Sequence, residues 1–184
     1  MLSATSNSLN NSLNSLGVYY IDCKGEKIRI TDSRLLCTLV LVNPNHSSYV
    51  GGSVHWEAAS SNYPLLLVDG QIEFKMTRDP LYESVIGVNL NPSDNPYRGV
   101  VDSALSSAAY PSQLRGLIYA TDQVEFKSGD CELVGCLVAN QKVKVDGTLL
   151  VHYRDIFAND PPPGFQDSMQ MRLVSGSIQR VETP

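Results

Sequence analysis

Short apolar runs alternate along this chain with pentapeptides in which apolar and polar residues take strict turns. The runs are Val18-Tyr19-Tyr20-Ile21, Leu39-Val40-Leu41-Val42, Leu65-Leu66-Leu67-Val68, Leu117-Ile118-Tyr119-Ala120 and Cys136-Leu137-Val138-Ala139. The alternating pieces are Lys27-Ile28-Arg29-Ile30-Thr31, Ser53-Val54-His55-Trp56-Glu57, Gln71-Ile72-Glu73-Phe74-Lys75, Gln123-Val124-Glu125-Phe126-Lys127 and Lys142-Val143-Lys144-Val145-Asp146. Period two marks a strand with one buried face, and each alternating piece follows an apolar run and a polar turn. The same order of run, polar turn and alternation recurs, so the chain reads as a repeat protein.

The cleanest copies are consecutive. Gly116 aligns with Gly135, Leu117–Ala120 with Cys136–Ala139, and Gln123–Lys127 with Lys142–Asp146. The period is about 19 residues, too short for a strand-helix pair and sufficient for one coil of a β-solenoid. Stacked coils would place Ile28/Ile30, Val54/Trp56, Ile72/Phe74, Val124/Phe126 and Val143/Val145 inside, with Arg29, His55, Glu73, Glu125 and Lys144 as a solvated outer column. In that register Glu125 lies beside Lys144 and Lys127 beside Asp146, both favourable cross-strand pairs. The expected fold is an all-β parallel solenoid of about six coils, beginning near Gly17, Thr38, Leu65, Ser84, Gly116 and Gly135. An antiparallel β-sandwich is the alternative, since it also alternates at short spacing.

The remaining stretches divide the chain. Residues 1–16 are Ser/Asn-rich, with Leu9, Leu13 and Leu16 spaced for a short capping helix or a linker. The solenoid occupies 17–158, with Ser84–Leu90 as a degenerate coil and a loop insertion over 91–115 that holds Pro92, Pro96 and Pro111. Asp102 is placed to cap a short helix there. Residues 159–184 open on Asp160-Pro161-Pro162-Pro163-Gly164, an extended exit, and the tail is expected to pack along or cap the last coil.

Charge narrows the partners. The chain has 184 residues with 14 Lys+Arg against 19 Asp+Glu, a net charge of -5, and the cations form no run. Nucleic-acid binding is disfavoured on that ground, and no run of 18 apolar residues offers a membrane span. Cys23, Cys37, Cys131 and Cys136 lack zinc-ligand spacing. They read first as buried structural thiols, with a Cys23–Cys37 or Cys131–Cys136 disulfide as the other possibility.

Candidate chemistry is sparse. His46, His55 and His152 belong to no metal or catalytic motif and read as surface residues. Glu57, Glu73 and Glu125 could line one strand face as glycosidase carboxylates, but they fit the repeat and read first as a solvated column. Tyr49, Trp56, Tyr63 and Tyr97 could stack on sugars, although Trp56 is in phase with the core. Asp94, Asn95 and Asp102 lack the dense spacing of a calcium loop. No catalytic, cofactor-binding or metal-ligating residue is therefore assigned, and no cofactor is expected.

Tyr110-Pro111-Ser112-Gln113-Leu114-Arg115-Gly116-Leu117-Ile118-Tyr119, the coils after it, Pro162-Pro163-Gly164-Phe165 and Ser175-Gly176-Ser177-Ile178-Gln179-Arg180-Val181 together resemble the β-helical C-terminal domains of uncharacterised bacterial pilin-like and pilus-assembly-associated surface proteins. The Gly-containing coils also resemble bactofilin-type polymer-forming solenoids. The resemblance spans roughly residues 85 to 181. It implies a right-handed, single-stranded parallel β-helix in the cell envelope or outside the cell, anchored by a segment ahead of this chain. It further implies a non-enzymatic structural or interaction role, with envelope proteins or further copies as partners. A carbohydrate-binding or carbohydrate-cleaving β-helix, with a glycan as partner, is the alternative.

Overall fold

A computed structural model describes residues 1–8, 12–100 and 108–161. The protein is all-β, 54% strand and 4% helix, built around a curled mixed sheet of mostly parallel strands. In chain order the strands are β1 (Leu2–Ser3), β2 (Ser6–Asn7), β3 (Val18–Asp22), β4 (Arg29–Leu36), β5 (Thr38–Val42), β6 (Tyr49–Glu57), β7 (Pro64–Asp69) and β8 (Ile72–Met76). After β9 (Leu81–Tyr82) and the helical turn α1 (Glu83–Ile86) come β10 (Ala109–Tyr110), β11 (Gln113–Ala120), β12 (Gln123–Phe126), β13 (Asp130–Ala139), β14 (Lys142–Val145), β15 (Thr148–Tyr153) and α2 (Ile156–Asn159).

Pairing sorts these strands into three parallel ladders. The apolar runs make the first, β3–β5–β7–β11–β13. The second runs through the starts of β4 and β6 and then β8, β12 and β14. The third uses the ends of β4 and β6, the start of β11, then β13 and β15, with β1 added at Leu2↔Leu35. The 19-residue repeat is exact in space, because Leu114 to Ala120 pairs with Leu133 to Ala139 and Gln123 to Phe126 with Lys142 to Val145 without a shift.

Each ladder contributes inward columns to one core. Leu39, Leu66 and Ile118 stack in the first ladder, and Val50, Phe74 and Phe126 in the second, where the two phenyl rings lie 5.0 Å apart and nearly parallel. Leu35, Trp56, Leu114 and Leu133 stack in the third. All of these are buried, Trp56 completely, and its indole Nε1 donates to the Cys37 carbonyl at 2.9 Å. Equivalent apolar residues thus meet residue over residue, and no single coil has to bury its face alone.

Corners need special backbone. β4 and β6 each pass from the second ladder to the third through a register shift, with Asp32 at φ 45° and Gly52 at φ 69°. The Asp32 carboxylate there accepts the Ser53 N–H at 3.0 Å. Gly116 and Gly135 sit where the third ladder turns into the first, one over the other. A Cβ on Gly135 would lie 2.0 Å from the Gly116 carbonyl oxygen, so stacking itself demands glycine.

Several expectations fail. Ser84–Leu90 adds no rung: Glu83–Ile86 is helical and ends at Gly87 in the left-handed conformation. The departure from the stack instead runs from Thr77 to Ser112. It is closed at its neck by antiparallel β9–β10 and filled by a small core of Leu81, Leu90 and Tyr110. The alternating unit at Ser53–Glu57 belongs to the third ladder, and Val50 takes the second-ladder place given to it, since β6 carries two ladders in one strand. Residues 1–8 and 12–16 hold no capping helix; β1 and β2 form an antiparallel pair, while Leu13 and Leu16 are about 60% exposed. Val143 and Val145, expected inside, are 45% and 46% exposed because their rung is the last among the described residues. The proposed cap at Asp102, Leu9 and the tail beyond Pro161 lie outside the described residues.

Candidate functional site

The outward faces of the second and third ladders differ in chemistry. On the second, Glu73 and Glu125 are neighbours on adjacent rungs, yet both are buried, against the expectation of a solvated column. Lys127 reaches Glu73 at 2.8 Å and Lys75 reaches it at 2.5 Å, while Lys144 bridges Glu125 at 2.6 Å and Asp146 at 2.5 Å. The expected Glu125–Lys144 contact forms. Lys127 turns to Glu73 instead of Asp146, which pairs with Lys144. Burial alone would raise the Glu73 carboxyl, but the hydrogen bonds from Lys127 and Lys75 outweigh it and hold the group below its ordinary value. Tyr49 completes this face with Lys75 4.6 Å and Lys27 5.3 Å from its ring centre.

On the third ladder the outward columns run Arg34, His55, Gln113 and Leu36, Glu57, Arg115, Val134. Arg34 and His55 are buried because the departure from Thr77 to Ser112 folds over them. The Arg34 guanidinium donates to the carbonyls of Leu90 at 2.5 Å and Asn95 at 2.9 Å, and lies 5.3 Å from the Tyr97 ring and 5.4 Å from the Tyr110 ring. Glu83, also buried, accepts the Leu90 N–H at 2.8 Å and the Tyr110 hydroxyl at 2.6 Å. Asn95 Nδ2 donates to Thr5 Oγ1, tying the loop to the N-terminal strands.

His55, read from sequence as a surface residue, is 2% exposed. Its Nδ1 lies 2.8 Å from the Pro111 carbonyl, which can only accept, so Nδ1 carries the proton. Nε2 makes no hydrogen bond, and 3.5 Å away stands Glu57 Oε1, an electrostatic neighbour at the outer limit of bonding distance. The Arg115 Nε reaches the same oxygen at 3.1 Å, and Arg115 Nη1 donates to Gln113 Oε1 at 2.9 Å. His55 first, then Arg115 and Arg34, hold the Glu57 carboxyl below its ordinary value against the opposing effect of burial.

Two adjoining clefts open over this ladder. One, of about 330 Å³, is bounded by His55, Glu57, Tyr97, Arg98, Gln113 and Arg115. The other, of about 270 Å³, lies between Glu57, Ser60, Ser61, Arg115, Val134 and Arg154. They share Glu57 and Arg115.

The other candidates scatter. Trp56 is core, Tyr63 is half-buried, and His46 is exposed. His152 faces Glu132 at 3.5 Å near the last rung. Asp94 is exposed, Asn95 is engaged by Arg34 and Thr5, and Asp102 lies outside the described residues. Among the described residues no group of three His, Cys, Asp or Glu could hold a metal ion, and no helix is long and apolar enough to cross a membrane. All four cysteines are free thiols. Burial pushes Cys37 and Cys131 up to about 12, which leaves them inert.

Sequence reasoning missed Arg34, Glu83, Arg98, Arg115 and Arg154 as a group. Their only linear signal was that Arg115 follows Gln113 at strand period next to a proline-rich loop. No protein-family model, curated protein or solved structure matches the chain.

Proposed function

We propose that the chain is a right-handed, single-stranded β-solenoid serving as a non-enzymatic structural or interaction domain of a cell-envelope or pilus-associated protein. The observation that carries this reading is the state of its carboxylates. Glu73 and Glu125, the pair best placed for acid–base work, are buried under Lys75, Lys127 and Lys144. A glycosidase acid must hold a proton at working pH, whereas Lys127 and Lys75, against the opposing effect of burial, hold the Glu73 carboxyl below its ordinary value. What remains is a stack of matched rungs whose work is done at its surface. The envelope location draws its support from the resemblance to pilin-like surface domains.

Surface labelling of intact cells with a membrane-impermeant amine reagent tests this, with the protein expected in the labelled envelope fraction. Recovery in the unlabelled cytosolic fraction overturns the location. New reducing ends from a polysaccharide panel overturn the non-enzymatic role. A carbohydrate-binding domain is the second reading, favoured by the paired clefts beside Tyr97 and Arg115.

A further inference from the structure

We propose that the two clefts over the third ladder form one site for an acidic saccharide, in which arginines take a carboxylate and Glu57 takes a hydroxyl. This deepens the reading of the chain as a binding domain and rests on it. The clefts meet at Glu57 and Arg115, so a ligand lying across them passes from Arg98 to Arg154 over both. In a chain of net charge -5, this surface carries Arg115 on the Glu57 carboxylate, Arg98 in one cleft and Arg154 in the other. Arg115 has two N–H groups engaged, by Glu57 and Gln113, out of the five a guanidinium carries. Arg98 lies 5.1 Å from the Tyr97 ring centre, held at the rim by the aromatic surface.

The acceptors select the ligand further. Glu57 Oε1 already accepts from Arg115 Nε at 3.1 Å and lies 3.5 Å from His55 Nε2. The Glu57 carboxylate borders both clefts and is 37% exposed, so it is open to a partner that brings hydroxyl donors. A phosphodiester backbone supplies charge for the arginines but no proton at the phosphate, and inorganic phosphate brings one or two O–H groups in place of the row of hydroxyls on a sugar. A neutral sugar supplies hydroxyl donors but leaves the guanidinium groups without an anion. A saccharide bearing a carboxylate supplies both, and guanidinium and carboxylate match as a two-pronged pair. Ser60 and Ser61 extend the hydroxyl-matching surface toward Arg154.

Calorimetric titration of the whole chain with trigalacturonate, a hyaluronan tetrasaccharide and sialyllactose tests the site, with galactotriose and inorganic phosphate as comparisons. At least one acidic saccharide is expected to bind about tenfold or more tighter than galactotriose and phosphate, a difference of about 1.4 kcal/mol. Arg115→Gln is expected to weaken that binding about tenfold and Arg154→Gln about fivefold, with Lys127→Gln on the second ladder unchanged. Arg154 is exposed, so its variant remains informative if Arg115→Gln fails to fold. A silent acidic panel, phosphate binding as tightly as the saccharides, or affinity unaltered in Arg154→Gln overturns the proposal. New reducing ends during titration would instead overturn the non-enzymatic reading and leave the ligand class standing.

Discussion

The stack from Gln113 to Ala139 and the departure from Thr77 to Ser112 are held by opposite means. In the stack, backbone ladders and repeated apolar columns share the load, and each residue is supported by its counterpart one rung away. Among the described residues of the departure, the regular structure is a four-residue helix and one two-stranded pair. Its position rests on single buried polar groups, Arg34, His55 and Glu83, that reach specific carbonyls and hydroxyls. Redundancy protects the first region. In the second, one side chain anchors two segments, so local opening should be separable from global unfolding.

The sharpest test of that division removes a shared column. Trp56→Ala empties the largest fully buried side chain and its hydrogen bond to Cys37, and denaturant titration should show a loss of about 3–5 kcal/mol in one cooperative transition. A two-step transition would show that the ladders unfold independently. Arg34→Met should cost about 2–3 kcal/mol by leaving the Leu90 and Asn95 carbonyls buried without a donor. Hydrogen exchange should then rise in Leu81 to Asn95 while Leu114 to Ala120 stays protected; equal loss in both would erase the distinction.

Gly135→Ala places a methyl against the Gly116 carbonyl and should cost about 1–3 kcal/mol, read as a lower thermal midpoint. The smallest effect is electrostatic. Glu73 is held below its ordinary carboxyl value in the folded state, so it contributes stability above the unfolded value near 4.5 and loses it as pH falls through the folded one. Acid titration of stability should therefore be flatter in Glu73→Gln than in the parent protein below about pH 5. An identical acid limb would show that Lys75 and Lys127 do not couple to folding.

The same division explains what the sequence disclosed. Gly116 and Gly135, the Phe74/Phe126 column and the Glu125–Lys144 pair were legible because a repeat states each contact twice. Val54 and Trp56 point inward as period two requires, but in the third ladder and not the second, since the alternation continues through the bend at Gly52 and hides it. Ser84–Leu90 imitated a rung because its apolar residues serve a separate small core. His55 read as exposed because alternation gives the direction of a side chain but not what a distant loop lays over it. The cleft residues Glu57, Tyr97, Arg98, Arg115 and Arg154 come from separate segments, and no local pattern joins them.

The unshifted pairing of Leu114 to Ala120 with Leu133 to Ala139 also bears on how such a chain can change in length. Because the turn from Leu114 maps onto the turn from Leu133 without a shift, gain or loss of one whole 19-residue turn there would leave each surviving position facing its equivalent on the next turn. A change of one residue inside a strand would instead exchange its two faces and drive lysines into the interior. Growth along this pair of turns is thus quantised in whole steps, each marked by a glycine corner such as Gly116 or Gly135.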